Sequence, residues 1–134
     1  MRNLQAFALL IALMTCAALY AKEAPELSGP ELFLHFCASC HGTSAHGDGP
    51  VASSLKINVP DLTRIAVRNG GTFPADRVRN VIDGQDVRAA HGTREMPVWG
   101  WEWYGYQGED AGRRKYVAER VEKLVKYLGS LQRQ

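Results

Sequence analysis

The apolar positions of this chain recur mostly at helical spacing. The pattern is clearest near the C-terminus, where Val117, Val121, Leu124, Val125, Leu128 and Leu131 form one stripe. Glu109 and Asp110 before it and Lys123 and Lys126 towards its end suit the dipole of a helix. Ser28-Gly29-Pro30-Glu31 has capping-box spacing with proline in the first turn, and predicts a helix through Leu32, Phe33 and Phe36 to Cys40. Pro60-Asp61-Leu62 opens a short helix with Leu62, Ile65 and Ala66 inward, stopped by Gly70-Gly71. Phe73-Pro74-Ala75-Asp76 opens another, with Val78, Val81 and Ile82 on one face and Gly84 past its end. No segment sustains period-two alternation, so the expected fold class is all-α, with four or so helices. The stretches 41–60 and 84–108 are rich in Gly, Pro and polar residues and read as loops. Two long loops in so small a helical domain call for something to fill the middle, such as a bound prosthetic group.

The N-terminus departs from this pattern. Arg2 precedes a mostly apolar run from Leu4 to Leu19, and Ala21 ends it before Lys22-Glu23. That is the layout of a secretory signal peptide over residues 1–21, cleaved after Ala21 or Ala18. Two other readings are a retained membrane anchor and a lipoprotein acylated at Cys16. Each places the folded part, a single domain over residues 22–134, outside the cytoplasm, and the periplasm is the expected location.

Composition narrows the classes. With 46% hydrophobic and 22% charged residues among 134, the chain is globular and not disordered. A net charge of +2 without a basic block excludes a nucleic-acid partner. The charge is uneven: residues 22–61 carry two lysines against five carboxylates, and residues 62–94 six arginines against three. This is either an ordinary solvated surface or a steering field around a docking face.

Once the leader is set aside, the cysteines and methionines that remain are Cys37, Cys40 and Met96. Cys37-Ala38-Ser39-Cys40-His41 is C-x-x-C-H, the attachment pattern of c-type haem. Its thiols lie about one helical turn apart, so each reaches one vinyl group of the same porphyrin, and the adjacent histidine points its imidazole at the iron. A structural disulfide leaves His41 unexplained. A thioredoxin-like pair needs a βαβ context, and a zinc site needs four ligands. His35, His46 and His91 show no paired spacing. The second axial ligand follows by elimination: Met96, in Glu95-Met96-Pro97, is the sole methionine past the leader, with His91 its rival. A thioether on the iron favours the ferrous state.

These residues resemble the class I c-type cytochromes, of the small bacterial monohaem periplasmic kind, over about residues 28 to 131. The resemblance rests on C-x-x-C-H, on Gly29 and Phe33 four positions apart with Phe33 four before Cys37, and on Leu124 with Tyr127 in the last helix. It implies a small cytochrome c fold around one covalently bound haem c, with first and last helices crossing through those pairs. It implies that Pro50, in Gly47-Asp48-Gly49-Pro50, accepts a hydrogen bond from the proximal His41. The chain departs from the family between the methionine loop and the last helix, where Trp99, Trp101, Trp103, Tyr104 and Tyr106 intervene. These either wall the haem crevice, the reading favoured for Trp99, or form an exposed partner patch. Arg64, Arg77 and Arg94 are the possible partners of the haem propionates.

The implied function is electron transfer, not catalysis in its own right, between redox protein donors and acceptors by a monomer or weak dimer. Membrane contact is expected only if the leader is retained. Two alternatives remain at this point: a haem subunit of a dehydrogenase or oxidase, and a haem peroxidase or gas sensor if Met96 does not ligate.

Overall fold

The structure, a computed structural model, describes residues 26–84, 99–104 and 110–133. The leader with Cys16, the loop carrying His91, Arg94 and Met96, and Tyr106 lie outside the described residues. The helices run in the order α1 (Gly29–Phe36), α2 (Ala38–His41), α3 (Ile65–Arg68), α4 (Ala75–Asp83), α5 (Trp99–Tyr104) and α6 (Ala111–Ser130), with 3-10 turns at Ala52–Ser54 and Leu62–Arg64. The described residues contain no strand, so the fold is the expected all-α one.

Helix α1 begins where the sequence places it. The Ser28 amide donates to the Glu31 carboxylate at 2.8 Å and its hydroxyl donates at 2.6 Å. These bonds, the hydroxyl's first, hold the Glu31 carboxyl below its ordinary pKa. Helix α6 is capped by Asp110, whose carboxylate accepts from the Arg113 amide at 2.7 Å. The two helices pack across each other. Leu32 and Phe33 meet Val117, Val121, Leu124, Val125 and Leu128 in one buried core. The crossing is close because Gly29 has no side chain: a Cβ there would stand 2.5 Å from the Lys123 carbonyl oxygen and 3.0 Å from Tyr127 Cβ. Phe33 and Tyr127 fill the flank, with ring centroids 5.4 Å apart. Lys123 ties the far side, with its Nζ 2.9 Å from Glu26.

The turn at Leu62–Arg64 runs directly into α3, and Asp61 caps it by accepting from the Thr63 amide at 2.8 Å. The C-terminal tail clamps this segment. Gln132 accepts from the Ala66 amide and donates to the Leu62 carbonyl, both at 2.8 Å. The Arg133 amide donates to the Thr63 carbonyl at 2.9 Å. Helix α4 ends at Gly84, in the left-handed region with φ 81°. Its Arg79 reaches α6, donating to Glu122 at 2.9 Å.

Two expectations are corrected. The first predicted helix is not continuous to Cys40: Cys37 (φ −118°, ψ −35°) separates α1 from α2. Residues 84–108 are not all loop, since Trp99–Tyr104 is helical. Aromatic residues and Gly100 give a weak helix signal, and packing against α6 and Phe36 overrides it.

Candidate functional site

The break at Cys37 sets up the site. Its amide still bonds the Phe33 carbonyl at 2.9 Å, while its carbonyl accepts from the Cys40 and His41 amides at 3.2 and 2.9 Å. One tight turn thus brings both thiols and the imidazole to one cavity. The thiols are free. Burial, and then the neighbouring Cys40, push the Cys37 thiol up to about 12. So high a value keeps the unreacted thiol neutral at this wall. A thioether has no proton to lose, and burying one carries no such penalty.

His41 is buried, and the chain after it folds back to fix its backbone. Gly47 donates to the His41 carbonyl at 2.8 Å, Gly49 to that of Cys40 at 3.1 Å and Val51 to that of Ser39 at 3.0 Å. These bonds satisfy carbonyls that α2 leaves open at its end. Gly49 allows the approach, since a Cβ there would overlap the Ser39 carbonyl oxygen. Pro50 sits between Gly49 and Val51 in this strap and is exposed.

The cavity measures about 340 Å³, within the range of cofactor pockets. Phe33, Leu124 and Leu128 of the helix crossing form its base, and Val78, Val81 and Ile82 of α4 form a side. Leu55, Ile57 and Val59 form another, half-buried, with exposed Lys56 and Asn58 between them, and Pro60 continues the lining. Burial alternates over residues 55–59, within a segment read only as loop. Trp99 lines the cavity edge-on to Phe36, with centroids 5.2 Å apart, and Trp103 backs both, at 5.4 Å from Phe36 and 5.8 Å from Trp99. The charged lining residues described are Arg68 and Arg77.

The structure therefore brings together Cys37, Cys40, His41 and Trp99, and leaves Pro50 on the outside of the strap. Of the suggested arginines, Arg77 lines the cavity, Arg64 is exposed, and Arg94 lies outside the described residues. Arg68 was missed, although its position three residues after the inward Ile65 puts both on one helical face. An apolar slot with two thiols and an imidazole at one wall, and cations but no carboxylate in its described lining, fits a large apolar macrocycle bearing acidic substituents.

Fold and site together define a c-type cytochrome. A family model described as Cytochrome c matches residues 27–132, and the chain belongs to the cytochrome c family. Its cofactor is covalently attached haem c, and its function is haem-based electron transfer with redox partners. Neither the curated proteins nor the solved structures gave a match.

Proposed function

We propose that the protein is an exported, periplasmic carrier of single electrons whose haem iron is held by His41 on one face and Met96 on the other. Residues 1–21 act as the export signal, and residues 22–134 form the working domain. The observation that supports this reading most is the buried His41 beside two free thiols at the wall of an apolar cavity. Haem c supplies an iron that passes between ferric and ferrous states, taking one electron from a reduced partner and giving one to an oxidised partner. The chain does the rest. Cys37 and Cys40 anchor the macrocycle through thioethers, and the 42–51 strap fixes the proximal turn. Pro50 lies in that strap, but the His41 Nδ1 makes no hydrogen bond to its carbonyl, so the strap acts on His41 through the backbone bonds of Gly47, Gly49 and Val51. Met96 would hold the iron together with His41, and an iron so held would offer no open site to a substrate. The apolar walls exclude water, so little solvent has to reorganise when the charge changes. Trp99 and Trp103 pack on Phe36, which favours a crevice wall for these two rings.

The test is an optical spectrum of the matured protein, oxidised and reduced, with carbon monoxide added to the reduced form. A c-type spectrum, a weak far-red sulfur–iron(III) band and inertness to the gas are expected. Met96→Ala keeps the covalent haem, lowers the potential and opens the iron to carbon monoxide. A variant matching wild type in potential and gas binding would show that Met96 is not the ligand.

A further inference from the structure

Behind the cavity wall lies a charge that the electron-transfer site has not used. Arg120, on α6, holds its guanidinium carbon 4.4 Å from the ring centroid of Tyr116, 5.6 Å from that of Trp103 and 6.0 Å from that of Phe36. Its Nε is buried and makes no hydrogen bond. The carboxylates nearest in sequence on α6 are engaged elsewhere: Glu119 lies 3.8 Å from Lys115, and Glu122 2.9 Å from Arg79. Phe36 is shared, since it also lines the haem cavity. One aromatic ring thus separates a caged cation from the cofactor.

How the cation is held decides what it can do. A salt bridge would place a carboxylate beside the guanidinium and cancel most of its field at a distance. An aromatic face stabilises the cation through its quadrupole and leaves its net charge intact. Arg120 is half-buried with its Nε fully shielded, so its field is screened less than that of a fully exposed lysine. When the cofactor loses an electron it gains a positive charge, and a fixed cation one ring away disfavours that state.

We propose that Arg120 sets the reduction potential upward as a caged, uncompensated charge, with Phe36, Trp103 and Tyr116 holding it in place without neutralising it. The inference rests on haem occupying the cavity. The redox step is the carrier's own: one electron enters or leaves the iron, and no bond is made or broken.

The experiment is spectroelectrochemistry on matured wild type and on Arg120→Gln, Arg120→Lys and Tyr116→Glu, at low and high salt. Ala118→Glu serves as control, changing the charge by the same one unit at an exposed position on α6. Arg120→Gln is expected to reduce the equilibrium constant for reduction by about threefold to tenfold, tenfold being about 59 mV for one electron. That loss persists in high salt, whereas the control's effect disappears. Arg120→Lys retains most of the wild-type potential. Tyr116→Glu keeps the arginine and cancels its field, so it lowers the potential in high salt as well, and it decides the matter if Arg120→Gln fails to mature. A potential unmoved by Arg120→Gln, or by Tyr116→Glu in high salt, overturns the proposal, even if melting temperatures fall, because packing alone moves the second and not the first. A wild-type protein that matures without a c-type spectrum overturns the reading of the site itself.

Discussion

The α1–α6 crossing and the wall across the cavity use the same kinds of side chain and reach different ends. At the crossing, Leu32, Phe33, Val117, Val121 and Leu124 are 2% exposed or less. The chain itself closes most of that half, although Phe33 and Leu124 also line the cavity. Across the cavity, Leu55, Ile57, Val59, Leu62 and Ile65 are half-buried and face an opening of about 340 Å³. These residues line the cavity, and bound haem c would pack against them. One half of the core is therefore closed mostly by sequence and the other by cofactor. Binding of the group would add to the stability of the second half.

Separating the cofactor from the chain breaks this comparison most severely. Cys37→Ser with Cys40→Ser removes both thioethers and leaves His41 in place. The matured product then carries no covalent haem on a denaturing gel, and its stability falls by about 4 kcal/mol or more, the scale of losing a tightly held ligand. Cys40→Ser alone leaves one thioether and a poorly matured protein. Hydrogen exchange should rise first over residues 51–68 and last in α1 and α6. Uniform loss of protection along the chain would show that the core is not divided in this way.

The crossing is attacked from the opposite side. Phe33→Ala removes a fully buried ring and should cost about 3–5 kcal/mol. Gly29→Ala is the sharper probe. In an ordinary helix interior that change gains about 0.5–1 kcal/mol, but here the new Cβ meets the Lys123 carbonyl oxygen at 2.5 Å. The helices must separate, so denaturant titration should show a loss of about 1–3 kcal/mol. A stabilised variant would mean that the crossing is looser than the structure has it.

The same division decides what could be read from the sequence. The crossing was legible because periodicity and capping act locally: the Ser28–Glu31 box, the Asp110 cap and the α6 stripe need only neighbours along the chain. The C-x-x-C-H turn was legible because covalent attachment fixes its spacing. The wall was harder. Leu55, Ile57 and Val59 do alternate, but three positions inside a polar stretch fall below a strand signal, and they turn inward only because a cavity is there. Helix α5 was hidden by its composition, since Trp99 and Trp103 are drawn in by Phe36. Arg120 sits at the edge of the α6 stripe, where an arginine reads as a solvated charge until Trp103 and Phe36 are placed over it. The Gln132 clamp spans more than sixty positions of the chain, and no local rule anticipates it.

The smallest expected effect tests the wall at its cap. Asp61 accepts from the Thr63 hydroxyl at 2.6 Å and from its amide at 2.8 Å. The hydroxyl bond, then the amide, with help from His46 and Arg133, holds its carboxyl below the ordinary value. The native state therefore favours the ionised form. The resulting stability is fully present above the unfolded carboxyl's pKa of about 3.9 and is lost as pH falls through the lower folded value. Asp61→Ala should cost about 1 kcal/mol at pH 7, the usual worth of such a cap, and the gap to wild type should close on acidification below pH of about 4. Because the cap holds the turn that carries Leu62 and Ile65 to the cavity, the loss should appear in thermal melts of the haem-loaded protein and in faster exchange at 62–68, with α6 unchanged from Val117 to Leu124. A deficit that stays constant from pH 7 to pH 3 would mean that the ionisation of the carboxylate does not matter.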